Sequence, residues 1–265
     1  MTGAPLFVRV LGAGFAAVML VFLLAPLFVV IAASLSAGDY LIFPPQGLSL
    51  KWYQEIAADR RYHEALATSL ALAAVSTAIA VPLGTAASIG LARFQFPGKA
   101  LAQLLFLSPL LFPAIVVAIG LLIFASKAFG GSSFAVVAAG HAAMAIPFVV
   151  RAVTAVLEGV DPATEEAARV MGAPWWKRYA LVTLPQCQAG ILAGALLAFL
   201  VSFDDAVLVL FLRTPAIDTI PLRIYASLEF SPDPGVAAAS TLLILITAVF
   251  VVGSDWLLAG RRITG

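Results

Sequence analysis

Two adjacent carboxylates, Asp204 and Asp205, interrupt one of the most apolar stretches of the 265-residue chain. A carboxylate at the centre of a membrane helix costs about 2.5–3.5 kcal/mol on insertion scales, so such groups normally face a bundle interior or a water-filled cavity. A partly dehydrated acidic site attracts an ammonium group, and the rings of Phe199 and Phe203 would add cation–π contacts. The pair therefore indicates a binding site for an amine. The structural alternatives are that one aspartate pairs with an arginine of another subunit or caps a broken helix.

The helical periodicity around the acidic pair separates its two members. Ala198, Ser202 and Asp205 fall on one stripe of small and polar side chains, whereas Asp204 lies about 100° away around the helix. We therefore expect Asp205, together with Ser202, to face a pathway more directly than Asp204 does.

The composition is that of a membrane protein. The chain is 62% hydrophobic and 11% charged, whereas soluble domains carry roughly 25% charged residues. A spanning helix needs about 20 mostly apolar residues, and the gaps between charged residues predict an all-α protein with six such helices in a single domain over residues 1–265. The predicted helices cover about residues 10–33, 65–92, 100–125, 132–156, 186–212 and 235–258, with a long loop at residues 158–185.

Lysine and arginine indicate the orientation, because they accumulate in the cytoplasmic loops of membrane proteins. Placing the N-terminus inside puts the majority of the 15 lysines and arginines on the inner side. Both termini of this multi-pass protein are therefore expected in the cytoplasm, together with the loop at 158–185. The outer loop before the last helix contains Tyr225 and Glu229, a second candidate contact for the substrate or for the protein that delivers it.

The inner loop between the fourth and fifth predicted helices has the signals of a helix that ends at a sharp corner. Asp161 is a good N-cap, and Pro162 suits the first helical position. Glu165 lies near the positive end of the helix dipole and is spaced four residues from Arg169, so the two are expected to pair. Gly172 can adopt the left-handed conformation that ends a helix.

One face of this short predicted helix is apolar. Its members are Ala163, Ala167, Val170 and Met171. An apolar helical face suits a groove in a partner protein, so the loop is predicted to be a docking element.

The same loop contains a spaced string of residues. Glu166-Ala167-Ala168 is followed after three residues by Gly172, and after nine more by Val182-Thr183-Leu184-Pro185. This string resembles the signature of ABC importer permeases, from which it departs only in having Val182 where the family has isoleucine. Ser202-Phe203-Asp204-Asp205 and Ile220-Pro221-Leu222-Arg223 further resemble the permeases of spermidine/putrescine importers. The resemblance covers nearly the whole chain.

The resemblance implies the type I ABC importer permease fold in a bacterial inner membrane, with the loop as a coupling helix that docks into a cleft on an ATPase subunit. The residues expected to couple are Glu165, Glu166, Ala167, Ala168, Arg169 and Gly172. The implied partners are a pair of ATP-binding cassette subunits, which would bind ATP and Mg²⁺, a second and different permease subunit, a periplasmic substrate-binding protein and membrane lipid.

The implied cargo is a small cationic amine, most directly a polyamine such as putrescine or spermidine, carried by alternating access. One segment departs from the polyamine group. Residues 108–114 are neutral where relatives often carry an acid. A GABA-like, opine or other zwitterionic amine therefore remains an alternative cargo.

No catalytic chemistry is indicated for the chain itself. The sequence lacks the G-x-x-x-x-G-K-[S/T], H-E-x-x-H and G-x-S-x-G motifs, and its two histidines, His63 and His141, are far apart. No metal or other cofactor is expected in this chain, and a net charge of +1 gives no reason to expect nucleic acid. A secondary transporter or channel would also suit intramembrane aspartates, but it would leave the string at 166–185 without a role.

Overall fold

The computed structural model describes residues 6–230 and 232–262, with side chains for residues 7–230 and 232–253. This part of the chain is all-α and contains no extended strand. The helices are Leu6–Ser34 (α1), Lys51–Ala58 (α2), Arg60–Arg93 (α3), Lys99–Leu107 (α4), Ala114–Phe129 (α5), Phe134–Leu157 (α6), Ala163–Val170 (α7), Trp175–Arg178 (α8), Leu184–Gln186 (α9), Gln188–Phe203 (α10), Val207–Leu212 (α11), Ile220–Phe230 (α12) and Pro234–Arg262 (α13).

Four helices are long and apolar enough to cross a membrane by themselves: α1, α3, α6 and α13. Two further spans are bent pairs. Residues Lys99–Leu110 meet Ala114–Phe129 at 100°, and Trp175–Gln186 meet Gln188–Phe203 at 73°. The described residues therefore hold four straight candidate spans, or six if each bent pair crosses once.

The predicted helix over residues 100–125 is broken where two prolines occur close together. Proline has no backbone N–H and its ring collides with the preceding turn, so it interrupts a helix. Here α4 passes into a short 3-10 turn at Ser108–Leu110, and Pro113 precedes α5 with an extended ψ of 133°. The predicted helix over residues 186–212 is also divided: α10 ends at Phe203 and α11 begins at Val207.

The chain forms two compact units, which are described separately. One comprises the described residues up to Tyr62 and Ile224–Ile246. Within it, the side chains of α2 are tied to the end of α1. The hydroxyl groups of Tyr53 and Ser34 lie 2.6 Å apart, and the Trp52 indole donates to the Ser36 carbonyl at 3.1 Å. Both rings also pack against the cluster of Ile56, Ala238 and Ala239.

The second unit comprises His63–Arg223 and the described residues from Thr247 onward, and α6 is its most buried spanning helix. Helix α10 packs closely on α6 through glycines. A Cβ atom at Gly190 would lie 2.8 Å from the Ala152 carbonyl oxygen, and one at Gly194 would lie 3.0 Å from the Val149 Cα. Small residues allow such close approach between membrane helices.

Helix α6 also packs against α3. A Cβ atom at Gly84 would lie 2.7 Å from the Val149 Cβ. Two serines of α3 donate to carbonyl groups of α6: Ser76 to Ala138 at 3.1 Å and Ser88 to Val150 at 3.2 Å. These bonds give buried hydroxyl groups a partner in surroundings that hold little water, as expected for membrane helices.

Replacing Gly190 with alanine is expected to lower the stability of the protein in detergent by about 1–3 kcal/mol, the usual cost of overpacking. The new methyl group would meet backbone atoms of α6, which cannot rotate away. Gly120→Ala is the matched control, because a Cβ atom there meets nothing within 4 Å. Thermal unfolding of the two variants measures the difference, and equal melting temperatures would contradict the close contact.

Candidate functional site

The segment from Asp161 to Gly172 forms a capped helix, α7, as the sequence predicts. The Asp161 carboxylate accepts a hydrogen bond from the Ala163 backbone N–H at 2.9 Å. Because this N–H has no partner within the helix, the side chain caps α7. The helix begins at Ala163, one residue later than predicted.

Gly172 forms the corner that ends α7. Its φ is +83°, in the left-handed region that favours glycine. The Gly172 N–H donates to the Arg169 carbonyl and the Ala173 N–H donates to the Ala168 carbonyl, both at 3.0 Å. This pair of bonds is the Schellman motif, which satisfies the last carbonyl groups of a helix. The next helix, α8, then starts after Pro174.

The apolar face that the sequence predicts on α7 is exposed in the chain. Val170 and Met171 are 85% and 81% exposed, and Ala163 and Ala167 are also exposed. Of the string Glu166-Ala167-Ala168, only Ala168 is buried. Apolar side chains that the described part of the chain leaves uncovered are typical of an interaction site.

The ion pair expected between Glu165 and Arg169 does not form. Glu165 instead accepts a hydrogen bond at 3.0 Å from the guanidinium of Arg93, at the end of α3. Both side chains are mostly buried, at 15% and 14% exposure, and Arg93 also donates to the Val160 carbonyl at 3.4 Å. Arg169 remains exposed. Sequence spacing cannot identify this pair, since 72 positions separate the partners.

The two aspartates of the acidic pair have different surroundings. Asp205 accepts a hydrogen bond from the Leu208 N–H at 2.7 Å, so it caps α11, which is one of the structural alternatives considered for the pair. The Asp204 side chain is exposed, and its carboxylate makes no hydrogen bond or ion pair within the part of the chain that is described. The structure thus differs from the expectation that Asp205 would be the more available carboxylate.

Ser202 lies inside the packed helix pair and not on an open surface. It is buried, and its hydroxyl lies 2.9 Å from Nδ1 of His141, which joins α10 to α6. Ala198 is also buried. Ala198 and Ser202 of the predicted stripe therefore face α6. Asp205 does not continue the stripe, because α10 ends at Phe203.

The aromatic candidates form a cluster of their own. The rings of Phe199 and Phe203 stack at 5.8 Å, and the ring of Phe250 lies 4.6 Å from that of Phe199. Phe203 is almost completely buried, at 1% exposure. The remaining candidates, Tyr225 and Glu229, are exposed residues of α12 in the other compact unit. Phe199 and Phe203 therefore lie together in one compact unit, whereas Tyr225 and Glu229 belong to the other.

Comparison with known proteins places these features in a family. The family model described as the binding-protein-dependent transport system inner membrane component matches residues 80–261, a stretch that includes the 158–185 loop and the acidic pair. The chain belongs to this family. It is therefore an inner-membrane component of a transport system, and its own role is not that of an enzyme.

Two relatives from Escherichia coli K12 extend the likeness over most of the chain. The spermidine/putrescine transport system permease protein PotC is 29% identical over 93% of each chain. The putrescine transport system permease protein PotI is 30% identical over 91% of this chain and 87% of its own. The suspected likeness to polyamine importer permeases is confirmed.

The fold matches that of a solved importer. The structure of a bacterial ABC transporter involved in the import of the acidic polysaccharide alginate aligns with a TM-score of 0.75 at 16% identity, covering 98% of this chain and 96% of its own. The predicted all-α fold of an ABC importer permease is confirmed.

Exchanging Glu165 for glutamine is expected to destabilise the protein by about 1.5–3 kcal/mol, because the mostly buried Arg93 then loses its charged partner. The double exchange Arg93→Glu with Glu165→Arg should recover part of this loss. Arg169→Gln is the control and should change stability by less than about 0.5 kcal/mol, since Arg169 is exposed. Denaturant titration of the wild type and the three variants measures their free energies of unfolding. An effect of Arg169→Gln equal to that of Glu165→Gln would contradict the Arg93–Glu165 pairing.

Proposed function

We propose that this permease carries a small cationic amine, such as putrescine or spermidine, across the inner membrane by alternating access, driven by ATP hydrolysis in partner subunits. The observation that carries the proposal is the uncovered apolar face of α7, held in place by a glycine corner and by the Arg93–Glu165 ion pair. A face that is apolar and exposed in the chain, but fixed to the spanning helices, suits a contact through which force is transmitted.

The ATP-binding cassette subunits would receive this face in a cleft. The fixed geometry of α7 supports this role, because a docked element transmits motion only if it moves together with the helices behind it. The Schellman corner at Gly172 and the bridge to α3 meet that requirement. The coupling residues proposed are Glu166 and Ala167 at the contact, with Glu165, Ala168, Arg169 and Gly172 supporting them.

Cargo recognition would involve Asp204. Its carboxylate is exposed at the end of α10, next to Asp205, and makes no hydrogen bond or ion pair with the described residues. An exposed carboxylate is free to attract an ammonium group by its charge. The proposal that the cargo is a polyamine rests on the similarity to PotC and PotI, whose names give spermidine and putrescine as their substrates. Asp205 would support the site by holding α11 in place.

The complete importer would also contain a second permease subunit and a periplasmic binding protein that delivers the amine. Both termini of this chain would lie in the cytoplasm, on the same side as α7. The positive residues of the inner loops support this orientation.

Gly172→Asp is expected to leave the complex assembled but to uncouple it, so that loaded binding protein no longer stimulates ATP hydrolysis. A side chain at this position meets no other atom, yet the left-handed φ is strained by about 1–2 kcal/mol in a residue with a Cβ atom. Gly159→Asp adds the same charge to the same loop without a left-handed φ and is the control. ATPase assays in reconstituted vesicles measure both, and normal stimulation of Gly172→Asp would refute the coupling role.

Asp204→Asn is expected to raise the KM for a cationic amine by about tenfold, the effect of losing about 1.4 kcal/mol of charge interaction. Asp205→Asn should have a smaller effect, because asparagine is also a good helix cap, whereas Asp205→Ala should lower stability by about 1 kcal/mol. Uptake of radiolabelled putrescine into vesicles measures transport. Uptake of a neutral sugar or an anion in place of putrescine would overturn the cationic cargo. Uptake of a GABA-like compound would favour a zwitterionic amine.

A further inference from the structure

A polar cavity lies beside the α7 loop, between the ends of α3, α4 and α6. Its volume is about 810 Å³, within the range of small-molecule sites. Three basic side chains line it, Arg93, Lys99 and Arg151, together with the carboxylate of Glu158. Of these residues only Arg93, through its ion pair with Glu165, has a part in the roles proposed above.

The charges that face the cavity are not balanced by one another. Arg93 is engaged by Glu165, which does not line the cavity. Lys99 and Arg151 make no ion pair within the part of the chain that the structure describes, and Glu158 is the single carboxylate in the lining. Two unpaired cations against one carboxylate leave the cavity positive.

One further feature would favour an anion there. Thr154 lines the cavity, and its buried hydroxyl has no hydrogen-bond partner among the described residues. A hydroxyl group without a partner can donate to an oxygen of a bound anion.

Apart from the Gln103 amide, the rest of the lining is apolar. It includes Leu91, Leu107, Val150 and Leu157. A free inorganic anion gains nothing from these side chains, whereas the glycerol and first methylene groups of a lipid would be buried against them. Basic cavities between spanning helices at the cytoplasmic side suit anionic lipid head groups.

We propose that this cavity binds the phosphate head group of an anionic phospholipid, such as phosphatidylglycerol. Lys99 and Arg151 hold the phosphate through charge-assisted hydrogen bonds, and the Thr154 hydroxyl donates to one of its oxygens. The cavity borders Arg93, so a bound lipid also occupies the space behind the bridge that fixes α7. The lining contains neither Asp204 nor the exposed residues Val170 and Met171 of the α7 loop.

The test uses the full-length purified protein in detergent, titrated with dihexanoyl phosphatidylglycerol and, separately, with dihexanoyl phosphatidylcholine. Binding is measured by calorimetry and by native mass spectrometry. We expect phosphatidylglycerol to bind about tenfold more tightly, because the choline cation of the other lipid opposes the positive cavity. Equal affinities would overturn the proposal, and so would displacement of phosphatidylglycerol by millimolar inorganic phosphate, which would assign the cavity to a free anion.

Variants of the lining distinguish the cavity from other basic surfaces. Lys99→Gln with Arg151→Gln should weaken phosphatidylglycerol binding about tenfold. Thr154→Val, which removes a hydroxyl that has no partner in the chain, should weaken binding without lowering stability. Glu158→Gln should tighten binding about threefold because it removes the opposing charge. This gain cannot result from misfolding.

Lys127→Gln with Arg213→Gln is the matched control. Both residues are exposed, outside the cavity lining and without an ion pair in the described chain. We expect no change in lipid binding. An equal loss in this control would refute the cavity as the site, and a loss of binding in Glu158→Gln would do the same. These binding measurements do not depend on transport, so they test the lipid site separately from the proposed cargo.

Discussion

Helix α6 packs against α3 and α10, and at both contacts the backbones approach so closely that only glycine fits. Gly84, Gly190 and Gly194 lie at these contacts. Lipid provides no hydrophobic drive for helices to associate, so close packing and buried hydrogen bonds must supply the stability. The serine bonds from α3 and the bond between His141 and Ser202 meet this need. The positions of the α7 loop and of the acidic pair depend on this three-helix arrangement.

The α7 loop leaves the end of α6 and is attached to the end of α3 by the bridge between Arg93 and Glu165. Two of the packed helices therefore hold one short exposed helix. Neighbouring residues of one turn of α7 therefore face in opposite directions. Glu165 and Ala168 face the protein, whereas Glu166 and Ala167 face outward. The inward-facing side attaches α7 to the spanning helices, as the proposed coupling role requires.

The acidic pair illustrates how a break in a helix changes the roles of its residues. In an unbroken helix, Asp205 would continue the stripe of Ala198 and Ser202. In the structure, α10 ends at Phe203 and Asp205 caps α11, so that its charge is used locally. Asp204 then remains the carboxylate without an internal partner.

The sequence alone predicts much of the secondary structure of this protein. Apolar segments predicted the spanning helices, although not the breaks at residues 108–113 and 204–206. Asp161 and Gly172 predicted the start and the corner of α7, because capping depends on a few residues that are close in sequence. Tertiary structure alone decided the pairing of Glu165 with Arg93 and the burial of Ser202 against His141. These depend on partners from distant parts of the chain, whose proximity arises only when the helices pack, and no local spacing encodes it.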